Sequence, residues 1–311
     1  MKKTREKLLI WYEKHGRHDL PWRNTDDIYH IYLSEIMLQQ TQVNRVQEEY
    51  YPRFLERFSS LRVLAEASED EVLASWSGLG YYSRARNLHK TAKLSKDGLS
   101  MCEKELVKLP GIGRYTASAI CSFGYKQSVP VVDTNIARVL KRFFALSQTN
   151  EKEIWQKAEF FLNYQNPREH NLALMDLGAI ACTPKNPNCK ECPLEVLCQG
   201  KMEPELYTQT KKTEYETLEL FYGLFVKDGK VALKTSNGPM YKNMLELPSV
   251  DPIEENFVGS FKHSYTKYRL TVNLYTIEEK SDDFEWYELS SIENVPISSL
   301  TKKALKFHQH Y

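Results

Sequence analysis

The sequence contains no apolar run approaching the ~18 residues that a membrane-spanning helix requires. Its opening stretch, MKKTREKLLIWYEKHG, is basic but has no apolar core behind the charges, so it is not read as a secretory signal. A cytoplasmic protein with no membrane contact is expected. Internal repeats and low-complexity tracts are also missing. Net charge is almost absent: 42 Lys+Arg face 41 Asp+Glu, leaving +1 over 311 residues. Bulk charge therefore gives no sign of a nucleic-acid partner. The small imbalance is uneven, +5 for residues 1–202 and −4 from Glu203 onward, which makes a mildly basic first part compatible with a phosphate-contacting surface.

A chain of this length suits two domains. Over residues 1–202, apolar residues recur at helical spacing, punctuated by glycine turns at 78–80 and 110–113, with at most one strand at Val129–Val132. The first domain is read as all-α. A polar, unperiodic stretch at 203–217 reads as a linker. From Leu218 the pattern changes. Two apolar runs flank a Lys227-Asp228-Gly229-Lys230 turn, a hairpin signal, and Tyr268–Tyr275 alternates as a strand does. With a short terminal helix, residues 218–311 read as a smaller α+β domain.

Two carboxylates stand in contrasting settings. Asp26 and Asp27 open a helix read as IYHIYLSEIMLQQTQV, with Ile28, Ile31, Glu35, Leu38 and Gln42 on one face. Glu35 interrupts that apolar stripe. Read from this helix alone, it is either a buried acid satisfied by a partner or a desolvated general acid whose pKa is raised. Asp133, in VPVVDTNIARVL, sits where a helix starts. It is at least an N-cap, and the helix dipole is expected to lower its pKa. One acid pushed up and one pushed down is the arrangement that cleavage of a glycosidic bond uses.

Between them lies KLPGIGRYTASAI. Gly111 and Gly113 permit a tight turn with outward backbone N–H groups, and Arg114 starts the next helix. Such a turn can hold a phosphate without bulk positive charge. Six cysteines are present, and Cys182, Cys189, Cys192 and Cys198 fall within seventeen residues. Four clustered thiols read as metal ligands; zinc and iron–sulfur both accept them, and the spacing does not choose. Cys102 and Cys121 read as ordinary.

The hairpin followed by VVDTN resembles the helix-hairpin-helix DNA glycosylases. LPWR at 20–23, SEIMLQQTQV at 34–43, GLGYYSRARNL at 78–88 and the cysteine cluster resemble the adenine-removing, MutY-type branch of that superfamily. The resemblance covers residues 5–200 and, more weakly, the second domain. It implies removal of adenine mispaired with 8-oxoguanine or guanine in double-stranded DNA, by a nucleoid-associated monomer carrying a [4Fe-4S] cluster on the four cysteines. It implies Glu35 as the acid protonating adenine, Asp133 as the carboxylate stabilising the oxocarbenium-like centre, Asn135 beside it, and Tyr115 in contact with Asp133.

The same resemblance puts Trp22, Arg23, Leu38 and Gln40 around the adenine, Gln39 and Gln42 near the partner base, and Gly111, Gly113 and Arg114 on phosphate. Tyr81 or Tyr82 would wedge the base stack, with Arg84, Arg86 and Lys90 facing phosphate. Lys185 and Lys190 would reach phosphate from the cysteine loop. Asp176 stands where the branch has Glu, which re-routes its contact with the adenine edge. Endonuclease III-type relatives carry Lys where Tyr115 stands; a lysine amine permits strand cleavage through a Schiff base, and a tyrosine does not. The second domain resembles Nudix hydrolases, without the run of glutamates that hydrolysis needs. Its recognition loop reads Tyr265-Thr266-Lys267 in place of Phe-Ser-His, with a charge where the family has a neutral donor. A bifunctional pyrimidine glycosylase/lyase and a non-catalytic DNA-binding module are the competing readings.

Overall fold

The computed structural model describes residues 1–208, 214–238, 240–278 and 284–308; residues 209–213 of the expected linker lie outside these. The chain divides into two compact units, 1–62 with 90–211, and 63–89 with 212–311.

Helices follow in the order α1 (Lys2–His15), α2 (Ile28–Met37), α3 (Val43–Arg45) running through a π segment at Val46–Tyr50 into α4 (Tyr51–Arg57), α5 (Leu61–Glu66), α6 (Glu69–Ser75) and α7 (Ser83–Leu94). Then come α8 (Glu103–Leu106), α9 (Arg114–Ala119), α10 (Thr134–Phe143), α11 (Glu151–Phe161) and α12 (Pro167–Ile180). The first unit contains no strand among the described residues; Val129–Val132 is not a strand, because its amides find a turn bond and the Asn171 side chain and no neighbouring chain runs alongside.

Helix starts follow local chemistry. Asp27 caps α2, accepting from the amides of Tyr29 (2.8 Å) and His30 (3.3 Å). Asn150 caps α11 through the Glu153 amide, and Pro167 opens α12. α10 carries Ile136, Val139, Leu140 and Phe143 at helical spacing into a core shared with Leu8 and Tyr12 of α1 and with Leu172, Leu174 and Leu177 of α12.

α2 stops at Met37, short of the Gln42 or Val43 expected. The chain turns there, and Gln40 adopts φ +56°, a left-handed conformation that no helix continues through. Glu35 therefore sits in the last turn of α2, at the edge of a turn.

The second unit holds two sheets. In one, β1 (Glu216–Leu224) pairs in parallel with β6 (Tyr268–Thr276), which pairs antiparallel with β5 (Phe257–Tyr265). In the other, β3 (Lys230–Thr235) is flanked by β2 (Val226–Lys227), β4 (Leu245–Glu246) and β7 (Glu285–Glu288). A terminal helix, α13 (Ser299–His308), closes the chain's described part. The expected turn is present, with Asp228 at φ +50° and Gly229 at φ +75°. Only Val226 and Lys227 pair across it, however. The first apolar run belongs mostly to β1, which finds nine partners on β6 instead.

Candidate active site

A cleft of about 850 Å³ opens within the first unit, between the end of α2, the start of α9, the start of α10 and α12. Glu35, Tyr115, Asp133 and Asn135 all line it, together with Trp22, Arg23, Leu38, Gln39 and Gln40. Gln42, the residue before α3, is exposed and outside it.

Glu35 is 6% exposed. Burial pushes its carboxyl up to about 7 against the opposing pull of the Tyr115 hydroxyl and Arg23, with Asp133 adding to the rise. Tyr115 donates its hydroxyl to Glu35 Oε2 at 2.5 Å. The expected contact of Tyr115 with Asp133 is thus made with Glu35, because α9 delivers the ring to the end of α2.

Asp133 caps α10, accepting the Ile136 amide at 2.6 Å and the Asn135 side-chain amide at 3.0 Å. Its pKa does not fall as the dipole argument expects. Burial raises it, and the Ile136 amide, Asn135 and Arg138 offset only part of the rise. Asp133 is nevertheless the less enclosed acid, partly exposed to the cleft, and more groups favour its anion. Burial thus raises both carboxyls, and the contrast between them lies in exposure and in the number of groups that favour the anion.

Behind Asp133, Arg138 donates to Asn135 Oδ1 at 2.9 Å, to the Gly178 carbonyl at 2.6 Å and to the Cys182 carbonyl at 2.8 Å. Gly178 is required: a Cβ there would lie 2.7 Å from Asn135 Cβ. Neither Arg138 nor Gly178 was legible as functional; LMDLGA offered only a small residue on a helix.

Asp176 is fully buried and does not line the cleft. Arg23 holds it bidentately at 2.5 and 2.8 Å, and Arg17 adds its backbone amide at 2.8 Å and Nε at 2.7 Å. The two guanidinium groups keep its carboxyl below the usual range despite burial. Instead of reaching a base edge, Asp176 fixes Arg23 in the cleft wall.

At the hairpin, Gly111 takes φ +75° and Gly113 caps α9, with nothing within 4 Å of where its Cβ would stand. Gly111 and Gly113 are both exposed, while Ile112 between them is buried. Arg114 lays its guanidinium 3.9 Å above the Trp155 ring.

In the second unit, Tyr81 is 40% exposed at φ +49°, while Tyr82 is 5% exposed and meets the Tyr241 ring edge-on. Tyr82 is core, and only Tyr81 is presented as a wedge would be. Arg84 is also inward, bonded to the Leu79 and Gly80 carbonyls and stacked near Trp76, and Arg86 pairs with Glu69. Neither is a free phosphate-facing cation. Tyr265 ends β5 against Tyr241, Thr266 takes φ +49° in the two-residue turn, and Lys267 reaches Glu216.

The four cysteines line one largely apolar cavity with Val139, Phe143 and Leu194, and Cys182, Cys192 and Cys198 pack against the first unit's core. Arg142 donates to Cys182 Sγ at 3.3 Å. Among the described residues, no three His, Cys, Asp or Glu side chains are arranged to hold a single metal ion. Lys185 and Lys190 are exposed on this loop.

These features define a helix-hairpin-helix base-excision repair protein. Residues 33–162 match the family model described as HhH-GPD superfamily base excision DNA repair protein. A solved thermostable thymine-DNA glycosylase is 28% identical, with a TM-score of 0.60 over 65% of this chain and 98% of its own. Endonuclease III in a non-covalent DNA complex shares the fold at 20% identity and a TM-score of 0.56, over 64% of this chain and 94% of its own.

Curated relatives narrow the class. The adenine DNA glycosylase of Buchnera aphidicola subsp. Baizongia pistaciae is 33% identical over 98% of this chain and 97% of its own. The adenine DNA glycosylase of Homo sapiens is 40% identical over 65% of this chain and 40% of its own. The chain belongs to the adenine DNA glycosylase family.

Proposed function

We propose that this protein removes adenine paired with 8-oxoguanine or guanine in double-stranded DNA, by hydrolysis of the N-glycosidic bond and without a lyase step. One observation carries the reading. A buried carboxylic acid, protonated up to about pH 7, faces a helix-capping carboxylate across the same cleft. Glu35 supplies the proton that makes adenine a competent leaving group. Asp133 supplies the anion opposite the positive charge that develops on the sugar. Asn135 and the Ile136 amide hold that carboxylate in place. Tyr115 stands where a lyase needs an amine, so the product is an abasic site with the strand intact.

Tyr81 is the wedge, the hairpin amides and Lys185 and Lys190 take phosphate, and Gln39, Gln40 and Gln42 serve the base and its partner. The four cysteines would hold a [4Fe-4S] cluster, since all four thiols line one cavity. Bound there, the cluster supplies structure to the loop. Residues 218–311 are a Nudix-like reader of the partner base through Tyr265, Thr266 and Lys267. The protein acts as a cytoplasmic, nucleoid-associated monomer; no helix among the described residues is long and apolar enough to cross a membrane.

The test is base release from a duplex bearing A opposite 8-oxoguanine, with and without hot alkali. Strand breaks only after alkali are expected. Breaks without alkali favour the glycosylase/lyase, and no base release favours a binding module.

A further inference from the structure

Arg142 is 2% exposed, on α10 nine residues beyond Asp133, and no step above uses it. Its guanidinium has more partners than any pairing with a carboxylate would give. Nη1 donates to Cys182 Sγ (3.3 Å), the Cys182 carbonyl (3.3 Å) and the Thr183 carbonyl (2.7 Å). Nη2 donates to the Pro184 carbonyl (3.0 Å) and Thr208 Oγ1 (2.8 Å), and Nε to the Pro204 carbonyl (2.9 Å). Every acceptor is neutral backbone, a hydroxyl or a thiol, so the charge is spent entirely on this loop.

The acceptors fall into two groups: the first cysteine and the residues after it, and a segment beyond the last cysteine. That segment, a short turn at Pro204–Tyr207, is packed in as well as bonded. Pro204 lines the cysteine cavity. The Gly200 amide bonds the Arg142 carbonyl at 2.8 Å, and a Cβ on Gly200 would stand 2.6 Å from the Tyr207 ring and 2.7 Å from that carbonyl. By polarity alone residues 203–208 read as linker; by contact Pro204 lines the cysteine cavity, and Pro204 and Thr208 are bonded to Arg142.

We propose that Arg142 is a positioning residue that straps residues 204–208 across the cysteine cavity, so that this segment and the Cys182 thiolate are held by one guanidinium. The inference rests on the reading of the four cysteines as an iron–sulfur site. When the cluster is bound, the Nη1–Sγ hydrogen bond withdraws electron density from one thiolate and favours the reduced state. The Nη2 and Nε bonds close the cavity wall and keep iron from leaving.

Three full-length variants test this, read out without excision assays: Arg142→Lys, Arg142→Gln and Thr208→Val. The measurements are iron retained after incubation with a chelator, the cluster's midpoint potential, and cutting after Glu205 by a glutamyl endopeptidase. Arg142→Gln should lose iron at least several-fold faster than wild type, with a potential shifted negative and faster cutting. Arg142→Lys should recover part of the iron retention but not the strap. Thr208→Val removes only the far bond; it should cut faster and lose iron faster at an unchanged potential.

Wild-type iron retention, potential and cutting in both Arg142→Gln and Thr208→Val would overturn the proposal. If Arg142→Gln does not fold, Thr208→Val decides by itself, and wild-type cutting there overturns the strap. If the wild-type protein binds no iron, the cluster reading fails separately, and the peptidase result still decides the strap.

Discussion

In the cleft of the first unit, Glu35 and Asp133 are enclosed side chains held at short distances by Tyr115, Asn135 and the Ile136 amide. At the β5–β6 turn of the second unit, Thr266 and Lys267 stand at an exposed tip, and Lys267's partner is Glu216, itself half exposed. The contrast concerns what fixes a functional group. In the cleft, burial makes each bond costly to lose and raises the pKa of both acids, that of Glu35 to about 7. At the tip, an exposed ion pair contributes little. Substitution is expensive in the cleft and cheap at the tip.

Substitutions should therefore divide by region. Glu35→Gln keeps size and hydrogen bonding but removes the proton. Single-turnover adenine excision should fall by about 10⁴-fold or more, with duplex binding close to wild type. Asp133→Asn still caps α10, so folding survives, while excision drops by on the order of 10²–10³-fold in the same assay.

Burial of Glu35 also has a stability consequence. Its folded pKa, about 7, lies above the ordinary 4.5, so its contribution is fully favourable only below about 4.5 and is lost as pH rises to about 7. Above that the deficit is constant, on the order of 3 kcal/mol. Glu35→Gln should thus unfold at a higher temperature than wild type at pH 8, with no such advantage at pH 4. Equal melting temperatures at pH 8 would mean that Glu35 is solvated and the cleft is not what the burial implies.

Tyr115→Phe removes the hydroxyl that favours the Glu35 anion. The alkaline limb of the excision profile should move to higher pH, with the plateau reduced no more than about tenfold. A limb moving to lower pH would reverse the assigned role. The smallest effect belongs to the tip. Lys267→Ser should leave stability within about 0.5 kcal/mol of wild type and raise the preference for 8-oxoguanine over guanine opposite A by only a few-fold.

Most of the cleft was legible because its signals are local. Glu35 interrupts a stripe on one short helix and Asp133 precedes a helix; outside the cleft, the glycine hairpin and the four cysteines within seventeen residues are local signals too. What was not legible depends on distant pairings. Asp176 is held away from the cleft by Arg17 and Arg23, more than 150 residues away in sequence. Tyr82 became core because Tyr241 lies against it, and nothing in GLGYY separates it from Tyr81. The strand at 216–224 left the hairpin that its sequence suggests, because β6 offered a longer parallel pairing.

The central claim is that burial keeps Glu35 protonated near neutral pH so that it can act as the acid. Titration of the Glu35 carboxyl by ¹³C NMR of glutamate-labelled protein, assigned by loss of the signal in Glu35→Gln, measures this directly. A midpoint near 7, matching the alkaline limb of excision, is the predicted result. A midpoint near 4.5 would contradict it and require another donor for the proton.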